Sequence, residues 1–310
     1  MQNAIEIQNL HKIYAAEGKV EAKQALENVD LNIPAGSLYA LLGPNGAGKS
    51  TLINILAGLV IKSSGTVKIW GRDIDENPRN ARAAIGIVPQ EINFDPFFTP
   101  RHILEIQAGL YGVPKKERRT DELLDLVGLR DKADVYSRSL SGGMKRRLMI
   151  AKALVHTPPI LILDEPTAGV DVELRQMLWR NVRKLNEEGV TVLLTTHYLE
   201  EAEELCDRIA IINHGRIVAD EEKETLLSRI DAKEVRFRFA EPFEAIPPAF
   251  AEAGAIREGR RTLMVRISPQ EDMLDRLVKA AAALPSNSIT DITTEESDLE
   301  DIFLQITRNQ

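Results

Sequence analysis

The sequence predicts an α/β protein with a largely parallel central sheet, an antiparallel β subdomain, a helical subdomain and a small C-terminal α+β domain. Three observations carry this. The first is a set of continuous apolar runs, at Leu38–Leu42, Ile160–Leu163, Val190–Thr195 and Arg208–Ile212, as expected of strands buried on both faces. The second is the helical spacing of residues 172–188 and 198–206 between the later runs, which is the alternation of a parallel sheet. The third is the glycine-rich loop that closes the first run and opens a helix at 52–58.

The remaining elements follow along the chain. Residues 4–10 alternate Ile5, Ile7 and Leu10 with polar neighbours, and 29–33 alternate again before the turn Pro34-Ala35-Gly36. With 65–71, they predict a small antiparallel sheet beside the glycine loop. Ile85–Pro89 reads as a buried strand. From Glu91 to His156 the texture is mostly helical, with helices over 101–111 and 117–127 stopped at Gly112 and Gly128. Near 221–232 the chain becomes highly charged and a new unit begins. Strands are expected at 234–239, 262–267 and 288–293, and helices at 270–283 and 298–307. Leu299, Ile302, Phe303 and Ile306 share one face of the last helix, read as packing on its own sheet. The domains are therefore 1–220, with a helical subdomain at about 91–156, and 221–310.

Bulk properties bound the function. The chain has 310 residues, 44% hydrophobic and 28% charged, with a net charge of −8. That charge argues against a nucleic-acid partner, which usually leaves a basic footprint. No apolar run approaches the roughly 20 residues that span a bilayer, and the first residues lack the pattern of a secretory leader. The one cysteine, Cys206, forms no internal disulfide, suits a reducing compartment and reads as a small core residue.

The loop Gly43-Pro44-Asn45-Gly46-Ala47-Gly48-Lys49-Ser50-Thr51 has the spacing G-x-x-x-x-G-K-[ST]. Between a strand and a helix this is a phosphate site, the mark of a P-loop NTPase core. Glycines let backbone N–H groups turn toward phosphate oxygens, and the helix start adds partial positive charge. Lys49 is placed to reach the β- and γ-phosphates, and Ser50 to ligate Mg²⁺. Asp164 and Glu165 close the run that starts at Ile160, where α/β sheets bind ligands. Asp164 is placed to hold Mg²⁺ and Glu165 to orient or deprotonate a water. The competing reading of each motif, a chance glycine turn or two solvated acids, weakens as they accumulate.

Leu140-Ser141-Gly142-Gly143-Met144-Lys145-Arg146-Arg147 resembles the signature of ABC-transporter ATPase subunits, and it precedes Asp164-Glu165 as in that family. Ser141 reads as an N-cap, so the helix behind it offers free N–H groups to an anion. Met144 stands where the family carries glutamine. Its thioether is a weak acceptor and no donor, and the Ser-Gly-Gly-Met variant resembles exporter subunits for drugs, antibiotics and polysaccharides. The basic residues after it read as a solvated face. The resemblance implies ATP and Mg²⁺ as cofactors. It implies that Tyr14 stacks on adenine, that Gln90 is a Mg²⁺ and water ligand, that Asp171 lies in the loop crossing to a partner, and that His197 bonds the γ-phosphate and supports Glu165. It further implies that Ser141, Gly142 and Gly143 complete the site of an opposite subunit. The other four histidines read as structural.

A head-to-tail homodimer with two ATP molecules is therefore expected, because the signature helix does not readily reach its own phosphate loop. The expected work is export through a separate integral membrane permease subunit, with this chain peripheral on the cytoplasmic face of a bacterial-type membrane. Glu91–Thr99 carries Phe94, Phe97 and Phe98 and is expected to be an exposed loop that docks a short helix of that subunit. The alternatives are the ATPase of an importer, or a soluble ATPase of the same family acting on ribosomes or DNA.

Overall fold

The computed structural model describes residues 2–16, 21–167, 172–228, 233–242, 245–267, 273–282, 289–295 and 303. They fall in two compact units, Met1–Lys223 and Glu224–Gln310.

The first unit begins with two long antiparallel strands, β1 (Asn3–Tyr14) and β2 (Lys23–Pro34), followed by β3 (Leu38–Leu42), α1 (Lys49–Leu56), β4 (Ser64–Ile69), β5 (Arg72–Asp73), α2 (Pro78–Ala83) and β6 (Ile85–Val88). The helical segment holds α3 (Pro100–Leu110), α4 (Thr120–Leu126) and α5 (Gly142–Ala153). Then come β7 (Ile160–Asp164), α6 (Val172–Glu187), β8 (Thr191–Thr196), α7 (Leu199–Leu205), β9 (Arg208–Asn213) and β10 (Arg216–Glu222). The antiparallel sheet has the order β2-β1-β4-β5, and the central sheet the order β10-β9-β3-β8-β7-β6.

Sequence and structure agree on most elements, and the differences have local causes. β1 and β2 are each 12 residues long, well beyond their alternating stretches. Asn9 and Asn28, both at φ 48°, sit at register breaks that reset the inside-outside period. β10 was not expected at all. It pairs antiparallel with β9 and is fixed by a polar clamp rather than an apolar pattern. The fully buried Tyr39 donates its hydroxyl to Asp220 Oδ1 at 2.6 Å, and Arg208 holds the same carboxylate at 3.1 Å. Burial first, then the Asp220 charge, drives the Tyr39 phenol far above its usual range.

Both ends of α3 follow capping rules. Thr99 caps α3 by accepting from the His102 N–H at 3.2 Å, with Pro100 at the first helical position. Gly112, at φ 76°, takes the left-handed turn that ends α3. Cys206 is buried, and burial pushes its thiol well up. Between the sheets, one core joins Leu41, Ile160, Ile162, Leu193 and Ile212 to Ile5, Leu31 and Val67. Each such side chain contributes roughly 1.5–3 kcal/mol.

Helix α8 (Lys223–Ser228) starts at the last residue of the first unit, and the second unit then contains β11 (Lys233–Phe239), α9 (Pro248–Glu252), β12 (Ile256–Arg257), β13 (Thr262–Ile267), α10 (Met273–Ala282) and β14 (Ile289–Glu295). Its antiparallel sheet has the order β12-β13-β11-β14. Phe250 packs edge-on to Phe237 and Phe239, with centroids 5.1 and 5.8 Å away. The expected helix at 298–307 lies outside the described residues, apart from Phe303. Among the described residues no helix is long and apolar enough to cross a membrane.

Candidate nucleotide site

The central sheet explains why distant residues meet. β3, β8, β7 and β6 run parallel and adjacent, so their carboxyl ends lie along one edge. The loop 43–51 leaves β3, His197 follows β8, Asp164-Glu165 ends β7 and Gln90 follows β6. Four sequence-distant segments are therefore delivered to a single cleft by topology alone.

The glycine loop is built for close approach. A Cβ at Gly43 would lie 2.4 Å from the Ile212 carbonyl oxygen, and one at Gly48 2.8 Å from that of Ala25. Gly48 is also at φ 115°, a conformation that side chains rarely adopt. It forms the N-terminal boundary of α1 without a side-chain cap, leaving the first N–H groups of that helix to an outside acceptor. Lys49 is 5% exposed. Its ammonium donates to Gly43 O at 2.6 Å and lies 3.9 Å from Glu165 Oε1. Burial lowers its pKa, opposed by the charges of Glu165 and Asp164.

Glu165 is held from every side. Its backbone sits at φ 45°, a left-handed turn costing roughly 1–2 kcal/mol for a residue with a Cβ. The N–H donates to Thr195 O at 3.0 Å and approaches Thr195 Oγ1 at 3.2 Å. Gln90 Nε2 donates to Oε2 at 2.9 Å, and His197 Nδ1 lies 3.2 Å from Oε1. Thr195 also donates its hydroxyl to Asp164 Oδ1 at 2.5 Å. One threonine thus sets both acidic residues, a role that period and motif spacing gave no signal for. Thr195→Val is expected to lower kcat by about 10–150-fold, the scale of one hydrogen bond of roughly 1.5–3 kcal/mol to a charged group. Steady-state hydrolysis, with Thr195→Ser restoring it, checks this; parental kcat in the Val variant would refute it.

These groups open on a cavity of about 380 Å³. Of the expected residues, Tyr14, Asn45, Gly46, Gly48, Lys49, Ser50, Thr51, Gln90 and Glu165 line it, and Lys23 and Ala25 join them. Lys23 was missed; it arrives because it is the register partner of Tyr14 across β1 and β2. Gly43, Pro44 and Ala47 form the loop behind this wall, and Asp164 and His197 reach it through Thr195 and Glu165. Ser141, Gly142 and Gly143 do not line it. Ser141 does cap α5, accepting from the Met144 N–H at 3.3 Å. Asp171 lies outside the described residues.

The basic run after the signature is corrected in part. Arg146 is buried rather than solvated and donates to Pro89 O at 2.9 Å, beside Gln90. Burial lowers its pKa, opposed by Asp164. Arg147 donates to Val127 O and Gly128 O. The helix pattern could not show this, because both partners lie on other segments. Of the histidines read as structural, His156 stacks flat on Tyr111 at 3.7 Å and bonds Ile85 O.

A phosphate-binding loop, a helix start left uncapped, a buried lysine and a clamped glutamate together define a P-loop nucleoside triphosphatase. The ABC transporter family model matches residues 26–168. The chain is 37% identical over 297 residues to Nod factor export ATP-binding protein I of Burkholderia thailandensis, covering 94% of each chain. It is 37% identical over 311 residues to the daunorubicin/doxorubicin resistance ATP-binding protein DrrA of Streptomyces peucetius, covering 98% of this chain and 92% of that one. A solved dimeric post-hydrolysis state of an ATP-binding cassette, bound to ADP and Pi, aligns with a TM-score of 0.64 at 32% identity, over 70% of this chain and 98% of that one. The chain belongs to the ABC transporter family, as an ATP-binding and ATP-hydrolysing subunit grouping with those of exporters.

Proposed function

We propose that two copies of this chain close head to tail on two ATP molecules, and that hydrolysis reopens them to drive export through a separate membrane subunit. The observation that carries this is the composition of the cavity. It is lined by the phosphate loop, Gln90 and Glu165 but not by the Ser141-capped helix, whose exposed N-terminus is a second anion site. A second copy, rotated by a two-fold axis, supplies that missing wall. The dimeric state of the cassette bound to ADP and Pi supports the pairing of two copies.

Within each site, Tyr14 stacks the adenine, the loop 43–51 and Lys49 hold the phosphates, and Ser141 and Gly143 of the other copy face the γ-phosphate. Glu165 accepts a proton from water as the water oxygen bonds the γ-phosphorus. The bond from that phosphorus to the β–γ bridging oxygen breaks, giving ADP and inorganic phosphate. Gln90 and His197 fix the Glu165 carboxylate for that transfer. The hydroxyl, amide and carboxylate oxygens of Ser50, Gln90 and Asp164 are a hard donor set suited to Mg²⁺, and Asp164 is already oriented by Thr195. Mg²⁺ bound there would neutralise developing charge on the phosphates. Asp171 belongs to the crossing loop in this reading.

The membrane partner docks on the loop after Gln90, which places this chain at the cytoplasmic face of a membrane. Phe97 and Phe98 are 64% and 42% exposed, whereas Phe94 is half-buried. The loop is tied down, since Phe98 O accepts from Ser137 N at 2.9 Å and Pro96 O from Arg138 N at 3.1 Å. Arg138 lies over the Phe97 and Tyr136 rings at 5.6 and 5.3 Å. Exposed aromatics on a fixed loop fit an interface anchor. Changing Phe97 and Phe98 together to Ala should reduce transport at least about ten-fold in vesicles holding both subunits. Hydrolysis by the isolated subunit should persist. Unchanged transport in that double variant removes the docking reading.

A further inference from the structure

Two acidic side chains are buried among the described residues, Glu165 and Glu201. Glu165 lines the nucleotide cavity and Glu201 does not. Glu201 is 1% exposed and sits in the first turn of α7, just after His197. Its Oε2 accepts from the Thr196 hydroxyl at 2.6 Å. Its Oε1 is buried and has no hydrogen-bond partner among the described residues, while Arg175 pairs with the neighbouring Glu200 at 3.3 Å. Burial pushes the Glu201 carboxyl up, opposed by the Thr196 hydrogen bond and by the charges of Arg175 and His197. A carboxyl only half satisfied in the interior is unfavourable, and an apolar side chain of similar volume would fill the space at less cost.

The hydrogen bonds around Glu201 show what it holds. Thr196 Oγ1, which donates to Glu201, accepts from the Tyr198 N–H at 2.9 Å. Tyr198 O accepts in turn from the Glu201 N–H at 3.3 Å. In a capping box the acid at the third helical position takes the N–H of the cap residue directly. Here Tyr198 is the cap residue, and the Thr196 hydroxyl is interposed. The relay therefore steps over His197 and ties down the residues on both sides of it. The imidazole itself is 35% exposed, with Nδ1 3.2 Å from Glu165 Oε1 and the Tyr198 ring beside it at 4.1 Å. An exposed side chain keeps one direction only where its support is fixed.

Resting on the role given to His197 above, we infer that Glu201 is a positioning residue for hydrolysis: through Thr196 it locks the turn 196–198 and so aims the His197 imidazole at Glu165. Burial suits this task, because water competes for neither side-chain bond of the relay. Nucleotide binding does not depend on it, since neither Thr196 nor Glu201 lines the cavity.

The test is steady-state hydrolysis by the full chain, beside titration with a fluorescent ATP analogue. Glu201→Ala should lower kcat at least about ten-fold and leave nucleotide affinity unchanged. Glu201→Gln should restore kcat, because its amide oxygen still accepts from Thr196. In the His197→Ala background, Glu201→Ala should cost nothing further, since the residue acts through that histidine. Parental kcat in Glu201→Ala overturns the inference. So does an equal fold-loss with and without His197, which is the result a helix cap alone would give. A glutamine variant as slow as the alanine one overturns the relay as well. Parental kcat in His197→Ala removes the role of the histidine itself, and the inference falls with it. Should Glu201→Ala lose its cooperative melt, Thr196→Val breaks the same relay from the other side, and parental kcat in that variant is equally decisive.

Discussion

Glu165→Gln is expected to slow ATP hydrolysis by about 10²–10⁴-fold, the range of a positioned general base, while ATP binding persists. The substitution keeps the shape and the left-handed backbone demand of the site. It removes only the negative charge and the proton-accepting oxygen. The clamp around the group also survives in part, since an amide oxygen can still accept from Gln90 Nε2, now 2.9 Å from Oε2. Loss of the charge 3.9 Å from the buried Lys49 ammonium lets that cation interact more fully with nucleotide phosphate. With ATP, the variant should elute as a long-lived dimer in size-exclusion chromatography, because chemistry no longer reopens it. Turnover at the parental rate would show that Glu165 does not activate water. Full loss of turnover with a monomer at saturating ATP would retain the base but count against two-copy closure.

Lys49→Met is expected to impair both binding and turnover. Methionine preserves the apolar stem, so the packing beside Gly43 stays filled and the readout is charge. Removing one preorganised donor from a phosphoryl-transfer site lowers kcat by about 10²–10³-fold. The loss should also appear in titration with a fluorescent ATP analogue. Lys49 is buried, at 5% exposure, and its pKa is lowered by burial, so the parental site already carries the desolvation cost that ATP would otherwise impose. Removing the cation leaves Glu165 and Asp164 uncompensated, which opposes an incoming anion further. Nucleotide affinity and kcat both at parental levels would exclude Lys49 from the phosphate site.

Lys49 is assignable from the loop because the motif's spacing lies in one contiguous stretch, although the backbone oxygens that a Cβ at Gly43 or Gly48 would meet belong to the distant Ile212 and Ala25. Glu165 was assignable from its place after an apolar strand. How it is held was not. Thr195 lies 30 residues away and becomes its neighbour only because β7 and β8 pair in parallel, with Asp164 opposite Thr195. Arg146 looked like part of a solvated basic run, and only the approach of α5 to Pro89 buries it. β10 carries few apolar residues and was invisible to period analysis, because Tyr39 and Arg208 anchor it through Asp220.

The α/β class, the phosphate loop, the acid pair and the order of the motifs are all readable along the chain. The phosphate loop and the acid pair are local matters of strand burial, loop spacing and helix starts, and the class and motif order follow from how such segments succeed one another along the chain. Which of those residues share one cleft is set by the packing of the strands, and so is the absence of the Ser141 helix start from its wall. Those outcomes depend on which strand lies beside which, and no short window of residues holds that information.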